Sequence, residues 1–199
     1  MAIQEIIRIG VVLLFLRHGV AAAQVSFSTN GVIAAFETLS TIVFLWATLK
    51  IEFSKNADLS WRAIVATSGS MVIPLFLEHG DPASAGRLPG LLLFILGVCV
   101  SLLSVVEIWP SFDILPSFRS ISTGGPYAVV RHPIYCGYLI SMSGYLTIFL
   151  SVQNMILVGV LALLLFWRAI LEERSLESSD PGYRVYRRRV PYKLFPAIL

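Results

Sequence analysis

The chain has 199 residues, 56% of them hydrophobic and only 14% charged, with a mean hydropathy of +0.79. A soluble domain carries about 25% charged residues, so this composition excludes an ordinary soluble enzyme and predicts an all-α polytopic membrane protein, a single domain over residues 1–199. The net charge is only +3, and the basic residues near the C-terminus follow an apolar segment and lie among tyrosines and prolines, so nucleic acid is not an expected partner.

Apolar segments fall at 6–25, 31–50, 62–78, 88–109, 134–150 and 153–171. Each is about long enough to cross a hydrocarbon layer as a helix, and in lipid the backbone must satisfy its own hydrogen bonds. The reading is a bundle of five to six transmembrane helices with a cytoplasmic C-terminal cofactor pocket. Residues 1–110 supply the N-terminal helices and 111–199 the core around the pocket. Arg8, Arg17 and His18 interrupt the first segment, which argues against a cleaved signal peptide and allows a tilted or interfacial helix. Glu37, deep in the second segment, can pair with Arg17 or His18, and an ionisable group there is a functional suspect. Glu107, beside Trp109 at the end of the fourth segment, reads more simply as interfacial.

Loop charges set an orientation. Lys50, Lys55 and Arg62 lie between the second and third segments, Arg119 and Arg131 between the fourth and fifth, and Arg174, Arg184, Arg187, Arg188, Arg189 and Lys193 after the sixth. The alternate loops are poor in such residues. Six crossings place every basic region, and both termini, on the cytoplasmic side. The protein is then multi-pass, in a bacterial inner membrane or the endoplasmic reticulum, with the lipid bilayer as its first partner.

The loop 110–133 contains Pro110, Pro116, Pro126 and Pro133 with Gly124 and Gly125, so it is not a continuous helix. Pro133 suits the first position of the next helix, which puts His132 at the entrance. The loop 151–153 is short and predicts an antiparallel hairpin of the last two segments. Polar residues collect where that hairpin is open. Arg131, His132, Tyr135 and Tyr138 mark its start, and the free N–H groups there suit an anion. The tyrosines also fit an interfacial belt, and His132 a helix cap. Gly137 would let a flat group approach the backbone. Arg168 and Glu172 share a face near its end, as an ion pair with a snorkelling arginine or as ligands for a carboxylate and a ribose hydroxyl or amine. Glu173 and Arg174 point elsewhere and mark the helix end. Tyr183, Tyr186, Arg187, Arg188 and Arg189 form an amphipathic tail fit for anionic headgroups, and the stretch from Val190 to Pro196 caps the pocket. Cys99 reads as a core residue and Cys136 as packing or a ligand contact. The two cysteines and three histidines have no metal-ligand spacing, and no metal is expected.

Taken in order, Gly125, Pro126 and Tyr127, then Arg131, His132, Pro133, Ile134, Tyr135, Cys136 and Gly137, then Glu172, Glu173, Arg174 and Leu176, then Tyr183, Tyr186, Val190 and Pro191 form a pattern. With a membrane hairpin between its parts, the chain over residues 119–196 resembles the isoprenylcysteine carboxyl methyltransferase family, integral membrane enzymes that use S-adenosylmethionine. The resemblance implies a cofactor pocket formed by Tyr127, His132, Pro133, Tyr135 and Glu172, with further contacts from Arg119, Ile121 and Ser122. It implies that Arg168 serves the acceptor carboxylate. One departure lies at Ser178, Ser179, Asp180, Pro181 and Gly182, where the family has an aromatic residue and a glycine; it bears on the shape of the tail lid.

The reaction so implied is in-line displacement at a sulfonium methyl by an ionised carboxylate, which needs no general base. The acceptor is lipophilic or prenylated, a small molecule or a protein C-terminus, most simply an isoprenylcysteine-like group. Methylation of a phospholipid amine or a small thiol, an NADPH-dependent sterol-type membrane reductase, and a non-enzymatic scaffold are the alternatives.

Overall fold

A computed structural model describes residues 60–78, 87–108 and 122–196, together with Ile9, Val12 and Ile42 as isolated helical positions. The chain divides into two compact units, Met1–Phe53 and Ser54–Leu199. Apart from Ile9, Val12 and Ile42, the segments expected at 6–25 and 31–50, with Arg17, His18 and Glu37, lie outside the described residues, as do Trp109, Arg119 and Ile121.

The second unit is helical, with no strand among the described residues. Helix α1 spans Trp61–Val72 and starts at Ser60, whose side chain accepts from the Ala63 N–H. The apolar segment expected at 62–78 is not one α-helix. Pro74 has no N–H to continue the ladder, and the chain tightens to a 3-10 turn over Ile73–Phe76. Helix α2 spans Arg87–Glu107, close to the predicted 88–109. A 3-10 turn over Gly125–Ala128 leads to α3, Pro133–Ile148, with Pro133 in its first turn and His132 as N-cap. Helix α4 spans Val152–Ser179 and α5 Pro181–Arg189. Asp180 ends α4 and, through its side chain, accepts from Gly182 N–H to start α5. The departure from the family pattern at 178–182 is therefore a helix stop and restart. Helix α4 runs beyond the apolar limit of Leu171, where Glu172, Glu173, Arg174, Leu176 and Glu177 are good helix formers and no proline or glycine intervenes before Ser179.

Two of these helices, α2 and α4, are long and apolar enough to cross a membrane. Helix α3 has 16 residues and rises only about 24 Å. It lies against α2 through small residues. A Cβ on Gly97 would stand 2.3 Å from Ser141 N, and one on Gly144 2.4 Å from Phe94 N. Such contact between backbones is how helices associate in lipid, where apolar side chains gain nothing from leaving their surroundings. Gly137 belongs to this crossing, since a Cβ there would lie 2.6 Å from Gly97 O. Its lack of a side chain admits α2 rather than a ligand. Cys136 is buried, whereas Cys99 is exposed and not the core residue expected.

Candidate active site

The first turn of α3 meets the last third of α4, as an antiparallel hairpin requires. Three of the residues that approach Glu172 were singled out from the sequence. Arg168 Nε lies 3.2 Å from Glu172 Oε1, His132 Nδ1 lies 3.5 Å from Oε2, and Tyr135 donates its hydroxyl to Oε1. The pair four residues apart on α4 is thus present, and it continues into the other cluster. The Tyr135 ring stacks on His132 with centroids 5.5 Å apart, and Arg168 Cζ lies 5.3 Å from the Tyr135 centroid. Pro133 is fully buried at the helix entrance. His132 occupies the N-cap position without capping through its side chain; its ring is directed at the glutamates.

Glu173 does not point elsewhere. It is the second centre of the site, buried at 5% exposure. Arg131 Nε lies 2.8 Å from its Oε1, His132 Nε2 3.2 Å from the same oxygen, and Lys193 Nζ 3.3 Å from Oε2. Adjacent residues on a helix project about 100° apart, so Glu172 and Glu173 take the two nitrogens of one imidazole between them. A neutral imidazole has one N–H to donate, and two carboxylate neighbours call for two. Burial alone would lower the His132 pKa, but hydrogen bonds to Glu172 and Glu173 outweigh it and raise it above the usual 6.5. The two carboxylates thus favour the imidazolium form.

The tail closes over this end. Arg131 Nη1 donates to Val190 O at 2.8 Å and to Pro191 O at 2.5 Å. The N–H groups of Arg131 and His132 donate to Tyr192 O and Lys193 O, each at 2.9 Å. Tyr186 donates its hydroxyl to Tyr127 O at 2.8 Å. The expectation that 190–196 caps the pocket corresponds to this strap. Burial pushes the Tyr186 phenol up to about 12 and also raises Tyr127 and Tyr183, so these tyrosines stay neutral at physiological pH.

Ser122 is engaged by a different acid. Its hydroxyl donates to Glu107 Oε1 at 3.0 Å. Glu107 is exposed, as expected, yet it also abuts the turn that carries Tyr127. A Cβ on Gly124 would lie 2.6 Å from Glu107 Oε1, and Gly125 has φ +49°, a conformation that favours glycine. The sequence had singled out Arg131 without a role and missed Glu173 and Lys193 as site residues. The usable signal was a pair of adjacent glutamates where an apolar helix turns polar, opposite an adjacent Arg–His pair.

The donor set fits S-adenosylmethionine. A carboxylate for a ribose diol, an aromatic ring for a flat or cationic group, and cations for a carboxylate stand side by side. Residues 86–179 match the model of the phospholipid methyltransferase family. The chain is also similar to the cobalt-zinc-cadmium resistance protein CzcN of Cupriavidus metallidurans, at 33% identity over 144 residues. That alignment takes in 69% of this chain and 62% of the relative, so the chain spans less than two thirds of the relative's length. The matched family is one of methyltransferases, which leaves the reductase alternative without support. From helix α2 through the charged end of α4, the chain is similar to the phospholipid methyltransferase family, membrane methyltransferases of the isoprenylcysteine carboxyl methyltransferase type that its motifs resemble.

Proposed function

We propose that the protein transfers a methyl group from S-adenosylmethionine to a carboxylate on a lipophilic, isoprenylcysteine-like acceptor at the membrane surface. The observation that carries this reading is the charge balance around the glutamates. Both carboxylates are engaged by cations, and among the described residues four cationic groups (Arg131, His132, Arg168 and Lys193) gather on these two acids. A surplus of positive charge suits an acceptor that arrives ionised. A glutamate already held by a guanidinium and an imidazolium is poorly suited to take a proton.

When bound, S-adenosylmethionine supplies a methyl group on a positively charged sulfur, open to in-line attack. Glu172 is the carboxylate that can reach such a ligand, since its side chain keeps 21% exposure against 7% for Glu173. Tyr135 and His132 line the same place, and Tyr127 lies beside them on the glycine turn. Arg168 would orient the acceptor, its plane set by the Nε link to Glu172 and by the Tyr135 ring. No proton transfer is required of the protein, so alignment and exclusion of water carry the catalysis. The pocket would open to the cytoplasm, with the acceptor entering from the bilayer between helices.

A phospholipid amine is the second reading, favoured by the description of the matched family. It requires loss of a proton from nitrogen and the approach of a cation to a cationic site. The test is methyl transfer by the full chain in nanodiscs with labelled S-adenosylmethionine, offering a farnesylated thiol acid, phosphatidylethanolamine or a small thiol. Base-labile methyl ester on the thiol acid supports the proposal, and product only on the amine overturns it. Glu172→Gln is expected to weaken binding of S-adenosylhomocysteine about tenfold, the size of one charge-assisted hydrogen bond, as read by calorimetry.

A further inference from the structure

Helix α5 carries arginines at 184, 187, 188 and 189 and no acidic residue. Its inner face, Tyr183 and Tyr186 with Val190 just beyond, packs on Leu176. The outer face is open: all four arginines are exposed, and Val185 is 71% exposed. Arg187 pairs with Glu177, whereas Arg184, Arg188 and Arg189 have no ion pair among the described residues. Basic residues in a last turn favour the helix dipole, but Arg184 lies outside that turn and needs another account.

The height of α5 supplies one. The apolar part of α4 ends at Leu171, and α4 goes on to Ser179, about 12 Å further. After Asp180 the chain descends again. Val190 and Pro191 bond Arg131, and Lys193 Nζ comes to 5.1 Å from the ring centroid of Phe166, within the apolar part of α4. The arginines immediately before Val190 therefore lie on the descending stretch, at the level where α4 turns apolar. In a bilayer that is the headgroup layer, which extends roughly 5–8 Å beyond the hydrocarbon on each side.

We propose that the outer face of α5 docks on anionic lipid headgroups of the leaflet at this end of α4, the guanidinium groups taking phosphate oxygens through forked hydrogen bonds. The strap follows α5 directly and holds the backbone of Arg131 and His132, so a docked helix anchors the strap on the site. The proposal stands whether or not the acceptor is a carboxylate.

The experiment places an environment-sensitive fluorophore on Val185→Cys in the full chain with Cys99→Ser, Cys136 being buried. The protein is reconstituted in nanodiscs of phosphatidylcholine alone or mixed with phosphatidylglycerol, each with a trace of headgroup spin-labelled lipid as quencher. Stronger quenching in the anionic discs is expected, reversed by high salt. Combined Arg184→Gln, Arg188→Gln and Arg189→Gln should abolish the difference, each arginine contributing roughly fivefold to the docking equilibrium. Thermal unfolding of that variant should match the parent, because these arginines are exposed and hold no ion pair among the described residues. Equal quenching in both discs, or an unchanged difference in the triple variant, would overturn the proposal. A rise of the same size in neutral discs on adding inorganic phosphate would assign the arginines to a free anion and overturn it as well.

Discussion

The hairpin of α3 and α4 is polar at both ends, and the two ends use different chemistry. At its turn, Asn154 is fully buried and, among the described residues, bonded to main chain and a capping serine. Its Oδ1 accepts from Glu78 N–H at 2.9 Å, and its Nδ2 donates to Glu78 O at 3.0 Å and Phe149 O at 2.8 Å. Tyr145 adds a hydroxyl to Glu78 O at 3.0 Å. Every group is neutral, and its partners are fixed by the backbone. At the open end the partners are charged side chains from α3, α4 and the tail, and Glu172 remains partly reachable. A satisfied neutral amide holds one arrangement and offers a ligand nothing. A charged cluster with positive surplus offers a ligand strong bonds and can change partners when one arrives. The turn is a clamp and the open end a site, although both join the same two helices.

The largest effect that tests this contrast belongs to Glu173. Glu173→Gln removes the charge shared by Arg131, His132 and Lys193 and leaves buried cations uncompensated. The expected cost is about 3–5 kcal/mol of stability, read by denaturant unfolding of the full chain in detergent. Glu172→Gln, at the more exposed carboxylate, should cost clearly less stability and act on ligand affinity instead. Equal losses in the two variants would erase the distinction between the sealed glutamate and the ligand-facing one.

Arg168→Ala comes next. It is expected to lower turnover about a hundredfold, close to 2.7 kcal/mol of barrier, while S-adenosylhomocysteine affinity changes little. Arg168→Lys should recover only a small part, because a lysine supplies a point charge and not a planar fork. Single-turnover methyl transfer separates these outcomes from a loss of binding.

How far the sequence foretold both ends follows from what each depends on. Pro133 announced the start of α3 because proline chemistry is local. The short link before Val152 announced the hairpin, and with it the meeting of His132 and Tyr135 with Arg168 and Glu172. The bounds of α2 followed from an apolar run that ends at a charge. Glu173 was missed because its inward direction is set by Arg131 and by Lys193 on the returning tail, a contact between distant parts of the chain. Gly137 was misread for a similar reason, since the backbone it admits belongs to α2. Pro74 was legible as a break, but the apolar run around it outweighed that signal.

At the turn, Asn154→Ala strips partners from the Glu78 N–H and removes the amide donated to Phe149. Losing three hydrogen bonds of about 0.5–1.5 kcal/mol each makes a loss near 2 kcal/mol the expected outcome, with ligand affinity and turnover per folded molecule unchanged. Asn154→Asp should fare no better, because a carboxylate cannot donate to the carbonyls of Glu78 and Phe149. A selective loss of cofactor affinity in Asn154→Ala would show that the clamp and the site are one unit.

The smallest effect separates the two ends by pH. The turn contains no group that titrates near neutrality in its hydrogen bonds, whereas His132 does. Its pKa in the folded chain lies above the ordinary 6.5 because Glu172 and Glu173 hold the imidazolium against the opposing effect of burial. A group whose folded pKa is raised lends its full stabilisation below the unfolded pKa and loses it as pH climbs through the folded one. Stability should therefore decline with rising pH from the neutral range upward, by about 1.4 kcal/mol for each unit by which the folded pKa exceeds the unfolded one. His132→Gln should flatten that part of the profile, since its amide does not titrate. Asn154→Ala should lower the whole profile and leave its slope intact, because the clamp exchanges no proton.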